Sequence, residues 1–298
     1  MSQGGIEEER RSFIAWALTP SLIVLFAIAV LPAVYLVVTS LTPFQLTTPG
    51  SATDFSAPLR NYGLLPGDPR FVNSLVVQAK LSFWGVLFQV LIGMGLALLL
   101  NVPSHFVEFA RTFFLIPMVL PPIVVAVIWK LIYTPDISPL YYAAQALHFT
   151  MPALTSSVDF ALTAIVIADT WEWLPFTFLM VLAALQTIPD EYSEAALVDG
   201  ATKLQIFWYV TLPFIMPILV ISGMFRLIDS VKAFPLIFLL TSGGPGTITE
   251  VTNYYAYLLA FDTNEIGYSS AVTVVMLLLV CGISLGLVWM GWRREALA

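Results

Sequence analysis

The chain has 298 residues, of which 59% are hydrophobic and only 10% charged. Soluble domains are about a quarter charged, so this composition excludes an ordinary soluble globular protein. The formal net charge of −7, without a basic patch, excludes nucleic acid as a partner.

The apolar residues fall in blocks of about 20 or more, the length a helix needs to cross a bilayer. Six blocks are expected to span: Phe13 to Leu41, Val72 to Leu100, Phe113 to Tyr133, Phe160 to Leu185, Phe207 to Leu240 and Ile266 to Trp292. Barrel strands are short and alternate apolar with polar, whereas these blocks are nearly continuous. Helices satisfy their own backbone hydrogen bonds in lipid, so the predicted fold class is an all-α polytopic membrane protein in the bilayer. The expected organisation is an N-terminal segment 1–12, a six-helix transmembrane domain 13–292 and a tail 293–298, without a soluble domain. The first block far exceeds a signal-peptide apolar core of roughly 7–15 residues and carries no small-residue cleavage site. It reads as a retained helix, with Pro20 and Pro32 near its ends. The single cysteine, Cys281, lies in the sixth block and reads as a small apolar packing residue.

Lys and Arg set the expected orientation. Arg10, Arg11, Arg111, Lys203, Arg293 and Arg294 total six on one side. The other side has Arg60 and Arg70 in its loops, with Lys80 and Lys130 just inside helix ends. Both termini are therefore expected in the cytoplasm, together with the connector before the fifth block.

Motifs for chemistry are missing. There is no G-x-x-x-x-G-K-S/T to cradle nucleotide phosphates, no H-E-x-x-H, no Cys/His metal spacing and no G-x-S-x-G. His105 and His148 stand alone and read as surface residues. The chain is expected to carry no catalytic residue, no metal and no cofactor.

The connector "EYSEAALVDGATKLQIFWYVTLP", residues 191–213, is the most specific stretch. Glu191 to Val198 can form two helical turns, Ala195 and Ala196 offer a low-profile surface, and Gly200 suits the left-handed residue that stops a helix. Asp199 is placed to bend the chain or cap the segment after it, and Pro213 to kink the next helix. Physics alone gives a helix-turn-helix joint.

The same residues resemble the EAA loop of binding-protein-dependent ABC importer permeases. Glu194, Ala195, Ala196, Asp199, Gly200, Ala201, Leu212, Pro213 and Pro217 match its pattern. "NYGLLPGDPRFVNSL", "ADTWEWLPF" and "FRLIDSVKAFPLIFLLTSGGPGTITEVTNYYAYLLAF" resemble the carbohydrate-uptake permeases related to the maltose and glycerol-phosphate systems. One departure is Pro235, where relatives often carry an acidic residue. The resemblance implies a type I importer bundle in the bacterial inner membrane. It implies that the loop, about 189–206, is a coupling helix docking on a separate ATPase through Glu194, Ala195, Ala196, Asp199 and Gly200. It also implies two ATPase subunits holding ATP and Mg, a second homologous permease forming a heterodimer, and a periplasmic solute-binding protein.

Charges inside the spans are the second signal, because each costs about 2.5–3.5 kcal/mol at the bilayer centre. Asp169, Glu172 and Trp173 share one helix face. Arg226, Asp229 and Ser230 share another, beside Lys232. Opposite signs on two helices predict an ion-pair cluster, which either ties the helices together or lines a pocket for a hydroxylated solute. Carboxylates accept from sugar hydroxyls, Arg donates, and aromatic rings stack on sugar faces. Related permeases place solute contacts in these same regions, so the candidates are Asp169, Glu172, Trp173, Phe176, Arg226, Asp229 and Ser230. Arg226 and Lys232 leave open an anionic group on the sugar. A reading from a different class makes the chain an ion-coupled transporter with Asp169, Glu172 and Arg226 as a proton relay. "TSGGPGT" reads as a turn, and Tyr254, Tyr255 and Tyr257 as an interfacial aromatic belt.

Overall fold

The computed structural model describes residues 3–102 and 104–295. Helix α1 (Gln3–Leu25) passes through a π turn, Phe26–Val30, into α2 (Leu31–Ser40). Then come α3 (Arg60–Leu64), α4 (Pro69–Leu100), α5 (His105–Val119), α6 (Pro122–Tyr133), α7 (Pro139–Ala146) and α8 (Ala161–Leu185). Next are α9 (Asp190–Val198), α10 (Lys203–Ile206), a second π turn at Phe207–Thr211, and α11 (Leu212–Ser230). The chain ends with α12 (Phe234–Leu240), α13 (Thr252–Phe261) and α14 (Ile266–Glu295).

Among the described residues five unbroken spans are long and apolar enough to cross a membrane: Phe13–Ser40, Pro69–Leu100, Ala161–Leu185, Lys203–Ser230 and Ile266–Leu287. The third expected span, Phe113 to Tyr133, departs from the block read in the sequence. It is a bent pair, Arg111–Val119 with Pro122–Tyr133, turning through 104°. Leu120 and Pro121 are extended at the break, because a residue preceding proline is pushed out of the α region. The fifth block also stops early, at Ser230. Pro235 lacks an N–H, and its ring would meet the carbonyl of Val231, so the helix restarts as α12. Pro32 sits at the start of α2, whereas Pro20 lies well inside α1. Cys281 is exposed on the chain surface rather than packed. A thiol behaves as a small hydrophobe and needs no protein partner on an apolar helix.

Two compact units divide the chain. One comprises residues up to 67 with 256–277. Within it, Asn61 Nδ2 donates to the carbonyls of Ser40 and Thr42, both at 2.9 Å. Thr39 Oγ1 donates to Ser270 Oγ at 3.0 Å. Gly267 donates its N–H to Phe44 O at 2.8 Å. A Cβ at Gly267 would lie 2.1 Å from Thr42 O, so no other residue fits.

The other unit, residues 68–255 with 278–298, is organised by α8 packing along α4. Asp68 caps α4, its Oδ1 accepting from Arg70 N at 2.9 Å and Phe71 N at 3.2 Å, with Pro69 at the first turn. The buried face of α4 carries Ser74, Gln78, Ser82, Gly85, Gln89, Gly93 and Ala97, recurring every three or four residues. Lipid tails are as apolar as leucine, so helices in a bilayer associate through close packing and interhelical hydrogen bonds. Small and polar residues on this face supply both. Toward the C-terminal end of α4 the filling becomes apolar, with Ala97, Phe178, Val181, Leu185, Ile215 and Leu219 packed together.

A Cβ at Gly93 would meet Thr177 Cβ at 2.9 Å and Phe178 N at 3.1 Å, whereas one at Gly95 meets nothing within 4 Å. Gly93→Ala is therefore expected to cost about 1–3 kcal/mol, and Gly95→Ala to be neutral or stabilising. Loss of the monodisperse chromatographic peak on heating in detergent measures both.

Candidate functional site

Three helices meet at a buried polar crossing. Gln89 on α4 is fully buried; its Nε2 donates to Asp169 Oδ2 at 2.7 Å and to Asp169 O at 3.2 Å. Its Oε1 accepts from Arg226 Nε on α11 at 2.9 Å. Arg226 Nη1 donates to Asp229 Oδ2 at 2.7 Å, and Nη2 lies 3.8 Å from Asp169 Oδ1. The guanidinium covers the Trp173 ring at 4.2 Å from its centroid. Asp229 also holds Lys232 Nζ at 3.4 Å. Gly85 makes the approach possible, since a Cβ there would stand 2.9 Å from Asp169 Oδ2.

The expected cluster thus forms through Asp169 and Arg226, and Gln89 is the member that reading charges alone missed. A neutral amide in an apolar helix draws no attention by itself. Its position two turns of α4 beyond Ser82, on the same face as Gln78, Gly85 and Gly93, was the available sign. Glu172 is buried at 2% exposure, and its Oε1 has no hydrogen-bond partner. Beside it a cavity of about 260 Å³ opens, lined by Asp169, Glu172, Trp173, Asp229 and Lys232, among others. Pro235, the departure noted in the sequence, is also on its wall. Phe176 and Ser230 are not. Phe176 packs edge-on to Phe225, and Ser230 Oγ donates to Ser82 Oγ at 2.7 Å, tying α11 to α4.

The aromatic-belt reading fails for Tyr254 and Tyr255, which are 5% and 4% exposed. Tyr255 donates its hydroxyl to Asp68 Oδ2 at 2.6 Å and lies under Arg70. Arg70 in turn makes a bidentate pair with buried Glu250, at 2.7 and 2.6 Å. Asn73 Nδ2 donates to Thr247 O at 2.8 Å. The first turn of α4 therefore clamps the glycine-rich turn, in which Gly243 and Gly246 take φ of 80° and 62°. Separations of about 180 residues in sequence hid this clamp.

The connector is defined by a backbone stop after α9 and a side-chain cap before α10. After α9, Gly200 takes φ 80°. Its N–H donates to Leu197 O at 3.0 Å, and Ala201 N–H donates to Ala196 O at 2.9 Å. These are the paired bonds of a Schellman stop. Asp199 is the last capping residue of α9; the next helix is capped by Thr202, not Asp199. Thr202 N donates to Gln205 Oε1 at 2.8 Å in a capping box. No residue of α9 is buried. Glu194, Ala195, Asp199 and Gly200 are exposed and Ala196 half-buried, beside Leu197 and Val198, which are 57% and 88% exposed.

A helical bundle with no nucleotide-binding loop, a polar crossing in its interior and a preformed exposed connector defines a membrane transport subunit. Residues 89–291 match the family described as binding-protein-dependent transport system inner membrane component. A protein of Sinorhizobium fredii named as a probable ABC transporter permease is 35% identical, over 95% of this chain and 91% of its own length. The trehalose/maltose transport system permease protein of Thermococcus litoralis is 32% identical, over 80% of each. In fold, the chain is similar to a crystal structure of a bacterial ABC transporter that imports the acidic polysaccharide alginate, with a TM-score of 0.83 at 20% identity, over 98% of this chain and 99% of that one. The chain belongs to the family of binding-protein-dependent inner membrane transport components, the permease subunits of ABC importers. In this class ATP hydrolysis lies on a separate chain, which accounts for the missing phosphate-binding loop. Nothing supports the ion-coupled alternative.

Replacing Gln89 with Leu leaves Arg226 Nε and Asp169 Oδ2 each without a partner. The expected cost is about 2–4 kcal/mol, read as a lowered midpoint of thermal unfolding in detergent.

Proposed function

We propose that the chain forms half of the translocation pathway of an importer for a sugar or sugar-like solute. In this reading it pairs with a second, different permease, receives solute from an extracytoplasmic binding protein and is driven by two ATPase subunits holding ATP and Mg. The sugar assignment follows the named solutes of relatives, which include trehalose and maltose. Both termini and the connector face the cytoplasm, in line with the Lys and Arg bias. The connector, about 189–206, docks on the ATPase through Glu194, Ala195, Ala196, Asp199 and Gly200. The crossing of α8 and α11 supplies the solute contacts, with Asp169, Glu172, Trp173 and Asp229 on the cavity wall and Arg226 behind it. Phe176 and Ser230 serve the packing around it.

The observation that carries the coupling part is α9 itself. A short helix with no buried residue, stopped by backbone hydrogen bonds and followed by a side-chain capping box, presents Leu197 and Val198 outward. An apolar surface rimmed by polar residues marks a protein contact. Gly200→Leu places a branched side chain at φ 80°, which costs about 1–2 kcal/mol and distorts the stop. Uptake by the intact complex is expected to fall at least about tenfold while the chain still inserts in the membrane. Unchanged uptake and unchanged ATPase association would count against the assignment.

A further inference from the structure

A helix that passes force from one protein to another has to be held at a fixed angle, and little within α9 does so. It starts at Pro189 without a side-chain cap and buries no residue. The bonds that stop it, Gly200 N–H to Leu197 O and Ala201 N–H to Ala196 O, join the connector to itself and not to the bundle. Its entry is anchored, because Ile188 packs on the apolar filling around Phe178, Ile215 and Leu219. Its exit is the short turn through Gly200 and Ala201, where a few backbone rotations swing the helix. A ring contact crosses from α9 to a spanning helix. Tyr192, in the first turn of α9, lies with its ring 5.2 Å from the Phe214 ring at the start of α11, inclined at 54°.

A helix turns about 100° per residue, so Tyr192 and Ala196 share a face, and Glu194 and Val198 share the opposite one. Ser193 and Ala196 are half-buried and Val198 is 88% exposed. The ring side therefore faces the bundle while the other side faces away. We infer that Tyr192 is a positioning residue for energy coupling: its ring on Phe214 fixes the angle of α9 against α11, so that movement of a docked ATPase reaches the helix that bears Arg226. This rests on the reading that α9 docks on the ATPase. Coupling between two sites is reciprocal. If closure of the ATPases drags α11 through this contact, the resting bundle in turn holds the ATPases back. Without the contact α9 swings while α11 stays, and ATP is hydrolysed without movement of the bundle.

The test needs no solute. The whole importer, with its partner permease and ATPases, is reconstituted in liposomes, and ATP hydrolysis is followed without binding protein. Tyr192→Ala is expected to raise the maximal rate about two- to tenfold, the equilibrium factor that an aromatic pair sets. The KM for ATP and the amount of co-purifying ATPase are expected to stay the same. Phe214→Leu, which keeps apolar volume and removes the ring, is expected to act alike, and the double variant to exceed neither single one. Tyr192→Phe keeps the ring and is expected to return the wild-type rate. A contact that served folding alone would lower the yield of complex and leave the rate per complex unaltered. An unchanged or lowered rate, or additive effects in the double variant, overturns the role given to Tyr192. Val198→Asp, on the opposite face, checks the docking reading separately. ATPase that still co-purifies in full removes that reading and the inference with it. Loss of ATPase from Val198→Asp beside an unchanged rate in Tyr192→Ala overturns the inference alone.

Discussion

A guanidinium inside a membrane-spanning bundle has to be paired, and the arrangement around Arg226 stems from that requirement. Its side chain is 2% exposed, and Arg cannot shed its charge by deprotonation. Gln89 therefore reaches across from α4, Asp229 from the next turn of α11, and Trp173 from α8. Each of these demands something further. Gln89 must come close to Asp169, which requires that α4 carry glycine at Gly85. The same close approach continues at Gly93 against Thr177. One desolvated cation thus fixes the identity of residues on three helices and the distance between two of them.

Much of this is legible in the residues alone. The apolar blocks mark the spans because crossing length is a property of composition. The glycine stop after α9 is visible because a left-handed residue favours one side chain. Asp169 and Arg226 stand out because charge in a span is expensive. The hidden features have different physics. The break at Leu120 lies inside a continuously apolar stretch, where hydropathy is blind and only the prolines speak, and the one before α12 follows charges that also read as a polar face of an unbroken helix. Gln89 is neutral, so counting charges passes over it. The clamp of Arg70 on Glu250 joins residues far apart in the chain, and no local pattern encodes that pairing. Tyr254 and Tyr255 look like interfacial residues by type, yet both are buried, and Tyr255 is held by Arg70 and Asp68.

The polar interior and the connector belong to one continuous stretch of chain. From Thr202 the helix runs through α10 and the π turn into α11, ending at Ser230 beside the cavity. The two features that carry the functional reading are therefore linked by helix rather than by loop. A rigid element of this kind can carry coupling between a docking surface and a binding cavity.

That link has a consequence for how the chain tolerates change in length. A helix advances about 100° per residue, and a π turn holds one residue more than the α-helical turn it replaces. The segment Phe207–Thr211 therefore acts as a phase adjuster between the capping box at Thr202 and the face that bears Arg226. Deleting a single residue inside that segment lets it close as an α turn and leaves the guanidinium facing Gln89, whereas the same deletion in α11 ahead of Arg226 rotates it by about 100°, away from Gln89 and toward hydrocarbon. Insertions and deletions are usually cheap in connectors, but between Gly200 and Arg226 the count of residues is itself a structural parameter.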